Sequence, residues 1–201
     1  MEIKIFIEGD IRTNTYVCYD KDGSCFIVDP AIDYAPLNEF LKAEELKPAY
    51  VLLTHGHGDH TEGIPELKER FPELQVVANR KEEDFLSHNY RRYGRKDIKP
   101  DIWIKDGDEL DIGSIHVKFI STPGHTPGGM CVYVEKEGTL FSGDTLFFCS
   151  VGRSDLPGGD TAALMDSIHS KLFILPDEVK VYPGHMGAST IGYEKRNNPF
   201  A

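Results

Sequence analysis

The chain has 201 residues, 40% of them hydrophobic, which fits one domain with a sizeable core. A formal net charge of -11 argues against a nucleic-acid partner, which needs a basic face. No apolar run is long enough to span a membrane, and Met1–Ile7 alternates polar and apolar residues like a strand, unlike a signal peptide. The four cysteines, Cys18, Cys25, Cys131 and Cys149, form no Cys-x-x-Cys pair and read as reduced thiols of a cytoplasmic protein.

Residues 2–7, 15–19 and 24–28 read as strands, with a hairpin turn at Asp22-Gly23. Leu37, Phe40, Leu41 and Leu46 recur at helical spacing, and Pro48 ends that helix. The apolar run Tyr50–Leu53 reads as a buried strand. From its end hangs Thr54-His-Gly-His-Gly-Asp-His60, with His55, His57, Asp59 and His60 as metal-binding side chains. Positions two apart point the same way only on extended chain, so His55 and His57 aim at one point from a loop. Asp59 and His60 then turn toward a neighbouring point as a helix begins, running from Thr61 to Phe71 with Ile64, Leu67 and Phe71 buried. Residues 74–78 read as a strand.

Residues 80–100 hold a local basic patch, Arg91, Arg92, Arg95 and Lys96, interleaved with Tyr90 and Tyr93. It reads either as a solvated face or as a device that draws an anionic substrate toward the metals, with Arg91 and Arg92 as contacts. Residues 102–104, 115–120, 130–134 and 138–141 read as strands. The turn 121–129 fixes His125 between two prolines and three glycines, and Gly143-Asp144 follows another strand. Residues 160–173 read as a helix with Leu164, Ile168 and Leu172 on one face, and the strand 179–182 ends in Pro183-Gly184-His185. Strand, glycine-rich turn and ligand thus recur four times, and the mixture of elements implies two sheets packed face to face with helices outside.

Seven candidate ligands, His55, His57, Asp59, His60, His125, Asp144 and His185, are too many for one tetrahedral ion and suit two ions sharing a carboxylate. His116 and His169 read as structural or solvent-facing, and His88 stays open.

In order along nearly the whole chain, Thr54-His-x-His-x-Asp-His60, Thr122-Pro-Gly-His-Thr126, Gly143-Asp-Thr-Leu-Phe147 and Pro183-Gly-His185 resemble the metallo-β-lactamase superfamily. Val151–Asp155 and the tail Tyr193–Phe200 look like the short, single-domain members of its glyoxalase II (hydroxyacylglutathione hydrolase) branch. The resemblance implies a single α/β domain over 1–201, an αββα sandwich of two mixed sheets with outer helices, without a C-terminal glutathione-binding helical domain. It implies two divalent metal ions, zinc first and iron or manganese as alternatives. His55, His57 and His125 would hold one, Asp59, His60 and His185 the other, and Asp144 would bridge them. It further implies hydrolysis of a small anionic thioester such as S-lactoylglutathione by a metal-bridging hydroxide, with Asp59 both binding metal and steering that hydroxide.

Asp29 reads equally as a strand-ending turn residue and as a partner of a ligand histidine. Arg153 could meet a substrate carboxylate or pair with Asp155 or Asp160. The rival reading is a persulfide dioxygenase of the same fold, with one iron on His55, His125 and Asp144.

Overall fold

The computed structural model describes residues 1–31, 35–87 and 97–201. His88, Arg91 and Arg92, and with them the whole of the basic patch, lie outside the described residues. Among the described residues no helix is long and apolar enough to cross a membrane.

One sheet takes its strands in chain order: β1 (Glu2–Glu8), β2 (Thr13–Tyr19), β3 (Cys25–Val28), β4 (Tyr50–Leu52), β5 (Gln75–Asn79) and β6 (Ile102–Ile104). Its first three strands are antiparallel and its last three join in parallel. That change follows from the connections. Short turns link β1 to β2 and β2 to β3, whereas the helices α1 (Ala35–Ala43) and α2 (Ile64–Arg70) carry the chain between parallel neighbours. A short helix, α3 (Glu83–Leu86), follows β5 after a 3₁₀ turn at Arg80–Glu82.

The second sheet is built from β7 (Glu109–Ile112), β8 (Ile115–Ser121), β9 (Met130–Val134), β10 (Thr139–Gly143), β13 (Lys180–Pro183) and β14 (Ser189–Thr190). A small ribbon, β11 (Leu146–Phe147) with β12 (Ser150–Val151), and the helices α4 (Thr161–Ser167) and α5 (Ile191–Asn197) complete the described strands and α-helices.

Strand alternation sorts the apolar side chains into three cores. Tyr16, Cys18, Phe26, Val28, Leu52 and Val77 face Val117, Phe119, Met130, Val132 and Phe141 across the space between the sheets. Val17, Cys25, Ile27, Val51 and Val76, on the opposite face of the first sheet, pack on Leu37, Leu41, Ile64 and Leu67 of α1 and α2. Cys131, Tyr133, Leu140 and Val181 pack likewise on Leu164 of α4, Ile168, Leu172 and Ile191 of α5. Central strands are therefore apolar on both faces, as sheets covered by helices must be. The result is the αββα sandwich expected from the sequence.

The differences have local causes. The helix expected from Thr61 starts at Ile64, because Gly58–His60 first closes as a 3₁₀ turn and Pro65 is pre-set for a first helical turn. The helix expected over 160–173 is α4, capped by Asp160, followed by a wider π turn at Ile168–Leu172 that keeps the same apolar face buried. The sequence reading passed over α5, whose Gly192 dilutes the helical signal, over α3 and β7, which span only four residues each, and over β11, β12 and β14, which at two residues each are too short for a period.

Phe141 lies fully buried between the sheets, with ring centroids 5.1 Å from Tyr16 and 5.7 Å from Tyr182. Phe141→Ala should cost about 3–5 kcal/mol of stability, read as a lower urea midpoint at unchanged slope.

Candidate metal centre

The ligand-bearing turns leave the ends of β4 in the first sheet and of β8, β10 and β13 in the second, and they converge at one edge of the sandwich. Backbone bonds tie these turns together. Met130 N–H donates to the Thr54 carbonyl, Gly184 N–H to Gly143, and Asn14 N–H to Gly184.

Three groups of donors form, each with ligand atoms within 4.8 Å of one another: His55, His57 and His125; Asp59, His60 and His185; and Asp29, His55 and His60. Asp144 stands between the first two. Its Oδ1 is 3.4 Å from His60 Nε2, and its Oδ2 is 3.5 Å from both His125 Nε2 and His185 Nε2. Asp59 Oδ2 is 3.3 Å from His60 Nε2 and 3.4 Å from His185 Nε2. All seven residues singled out in the sequence therefore share one site.

Most of the imidazoles are held from behind. His60 Nδ1 donates to Asp29 Oδ2 at 2.9 Å, His125 Nδ1 to the Arg153 carbonyl at 2.6 Å and His185 Nδ1 to the Ile11 carbonyl at 3.2 Å. His55 Nδ1 lies 3.0 Å from Thr54 Oγ1, whose own hydrogen goes to Asp29 Oδ2 at 2.6 Å, so the imidazole donates. In each of these four rings Nδ1 is turned to its partner and Nε2 faces the centre, where a metal would replace any proton it holds.

The donors fit cations. His55 Nε2, His60 Nε2 and Asp144 Oδ1 are buried without a hydrogen-bond partner, an arrangement that costs stability unless something between them is bound. His125 Nε2 and His57 Nδ1 face each other at 2.9 Å, a separation that two lone pairs tolerate only with a proton or a cation nearby. Imidazole and carboxylate together suit zinc, iron or manganese.

The field divides the site. Burial, and then the neighbouring imidazoles, hold His55 well below the usual histidine range and push His57 down to about 4. Burial acts the same way on His60 and His185. There Asp144 and Asp59 outweigh it, raising His60 and pushing His185 up to about 9. Those cations in turn outweigh burial at Asp59 and Asp144, whose carboxyls fall below the ordinary range.

Asp29 does both jobs considered for it. It ends β3 with a φ of +49°, which aspartate tolerates better than most residues, and its carboxylate holds Thr54 and His60. The Arg153 guanidinium forms a two-pronged pair with Asp155 at 2.9 Å on each prong, and the residue touches the site through its carbonyl. Sequence reading missed the support from β2. Thr13 Oγ1 donates to Asp59 Oδ2 at 3.0 Å, Asn14 Nδ2 donates to the Pro183 and Met186 carbonyls, and the Tyr16 hydroxyl donates to the Pro183 carbonyl at 2.5 Å. The available signal was a run of polar residues, Thr13-Asn14-Thr15, inside a strand otherwise apolar enough to be buried.

A sequence model described as "Metallo-beta-lactamase superfamily" matches residues 9–185. The chain is 35% identical to the probable metallo-hydrolase YqgX of Bacillus subtilis, over 96% of this chain and 93% of the relative. It is 32% identical to the hydroxyacylglutathione hydrolase GloC of Haemophilus influenzae, over 100% and 98%. Among solved structures it superposes on the BLEG-1 B3 metallo-beta-lactamase with a TM-score of 0.92 at 39% identity, covering 99% of both chains. It superposes on TTHA1623 in a di-iron-bound form with a TM-score of 0.86 at 32% identity, covering 98% of this chain and 100% of that one.

A metal entering beside His185 displaces a proton held up to about pH 9, whereas His57 is already neutral above about pH 4. Affinity at the Asp59–His60–His185 set should therefore rise by at least about tenfold per pH unit from 7 to 9, while His55 and His57 add no such dependence to the other set. Zinc competition with a chelator at pH 7, 8 and 9 checks this. Parallel gains at both sets would contradict the division of charge.

Proposed function

The chain belongs to the metallo-β-lactamase superfamily, and from that premise we propose that it is a dinuclear metal-dependent hydrolase of small thioesters of the glutathione type. The observation that carries the reading is the position of Asp144, with one oxygen toward His60 and the other toward His125 and His185. One carboxylate reaching both donor sets is what a shared pair of ions needs. The likeness to GloC supports the choice of a glutathione thioester.

His55, His57 and His125 would hold one ion, Asp59, His60 and His185 the second, and Asp144 both. When bound, such ions acidify water and polarise a carbonyl oxygen. The protein's part is to fix these donors and to shield them. His55 and His60 are 2% and 0% exposed, so the field at the donors is little screened. Asp59 is more open, with a quarter of its side chain exposed, and Thr13 holds its orientation. In this reading it would orient the attacking water and accept its proton. A thiolate leaves without prior protonation more readily than an alkoxide, because a free thiol has a pKa of about 8.5.

Three of the protein's four thiols are poor nucleophiles. Burial pushes Cys25 and Cys131 up to about 12 and Cys18 well above its ordinary value. The one-iron dioxygenase reading uses His55, His125 and Asp144 and leaves the assembled set of Asp59, His60 and His185 without a role.

Protein purified without added metal should hold two ions per chain and hydrolyse S-lactoylglutathione. A single tightly held iron, with oxygen uptake on a glutathione persulfide, would overturn the hydrolase, and turnover of β-lactams alone would overturn the substrate class. Asp144→Ala should scramble both metals and lower turnover by about 10³-fold or more, because it removes a ligand from both sets. His185→Ala should lose one ion and keep the other, as metal analysis would show.

A further inference from the structure

Glu82 is an acid where an acid is costly. It is 1% exposed, on the turn after β5, and belongs to none of the donor groups. Its two oxygens are occupied separately. Oε2 accepts the Gly56 N–H at 2.7 Å, and Oε1 accepts the Gly128 N–H at 2.7 Å. Gly56 lies between His55 and His57, and Gly128 follows His125 in the same tight turn. One carboxylate therefore spans the two loops that carry the first donor set. Burial raises the Glu82 carboxyl against the pull of the nearby Thr126 hydroxyl and of these N–H bonds.

The fit leaves no slack. A Cβ on Gly56 would stand 3.1 Å from Glu82 Oε2 and 2.7 Å from Phe85 Cβ, and one on Gly128 would stand 2.6 Å from Glu82 Oε1. Phe85 on α3 extends the support, with its ring edge-on to His57 at a centroid distance of 5.4 Å. The contact is also one-sided. His60, His185 and Asp59 are braced elsewhere, by Asp29, the Ile11 carbonyl and Thr13.

We propose that Glu82 is a positioning residue for the first metal, setting the separation of the His55–His57 loop from the His125 loop and with it the affinity of that ion alone. The proposal rests on the dinuclear reading above. Removing a partner that orients metal ligands typically costs about 10–100-fold in affinity.

The test is zinc affinity in full-length chains that keep one donor set each. With H185A, which leaves His55, His57 and His125, adding E82Q should raise the zinc Kd by about 10–100-fold. With H125A, which leaves Asp59, His60 and His185, adding E82Q should change the Kd by less than about threefold, as for independent sites. G128A presses on the same oxygen from the far side and should reproduce this pattern, so it carries the measurement if E82Q does not fold. An unchanged Kd in the H185A chain would overturn the proposal. Equal losses in both chains, with a matching fall in the metal-free Tm, would also overturn it, because Glu82 would then support the fold in general. Fewer than two ions on the wild-type chain would defeat the dinuclear reading instead, and the H185A comparison would still judge Glu82.

Discussion

The buried carboxylate of Asp29 is the contact from which the metal centre hangs. It accepts hydrogen bonds from the Thr54 backbone, the Thr54 hydroxyl and His60, and Thr54 passes the same constraint on to His55. The residue is itself fixed by β2, whose Thr15 hydroxyl donates to the Asp29 carbonyl and accepts from Ala31 N–H. A buried donor left without its acceptor costs about 1–3 kcal/mol, so this chain of bonds has few alternative arrangements. It orients one imidazole from each donor set.

The site also depends on keeping unlike charge environments side by side. Three carboxylates, Asp29, Asp59 and Asp144, surround His60, while His55 and His57 lie among other imidazoles. One half is therefore ready to ligate as a neutral cluster, and the other is an anionic cradle that holds protons until a stronger cation replaces them. Asp144 reaches both halves, so its own loss would be felt by both.

The turns are stiffened by different means on the two sides. The polar start of β2 braces Asp59 and the Pro183–Met186 turn across 46 to 172 residues of sequence. Glu82 braces the His55–His57 and His125 loops from behind. These buried polar groups sit at the edge of an otherwise apolar sandwich, where the strands end and backbone groups need partners.

The sequence by itself determined the candidate ligands and the broad fold. Four turns of strand, glycine and ligand are local patterns, and the spacing of His55, His57, Asp59 and His60 states their directions without tertiary information. The apolar periods of β3, β4, β9 and α4 placed the core for the same reason. Only the tertiary structure decided what stands behind the ligands. Thr13 and Asn14 fall just before the strand read from the sequence, Tyr16 looks like an ordinary strand residue, Glu82 looks like one acid in the charged run Arg80–Asp84, and the Arg153 carbonyl that holds His125 leaves no trace in side-chain identity. The partners of such groups lie tens to more than a hundred residues away, and a hydrogen bond closed by folding has no local period to read. Arg153 shows the converse: its charge suggested a substrate contact, and the fold pairs it with Asp155 two residues on.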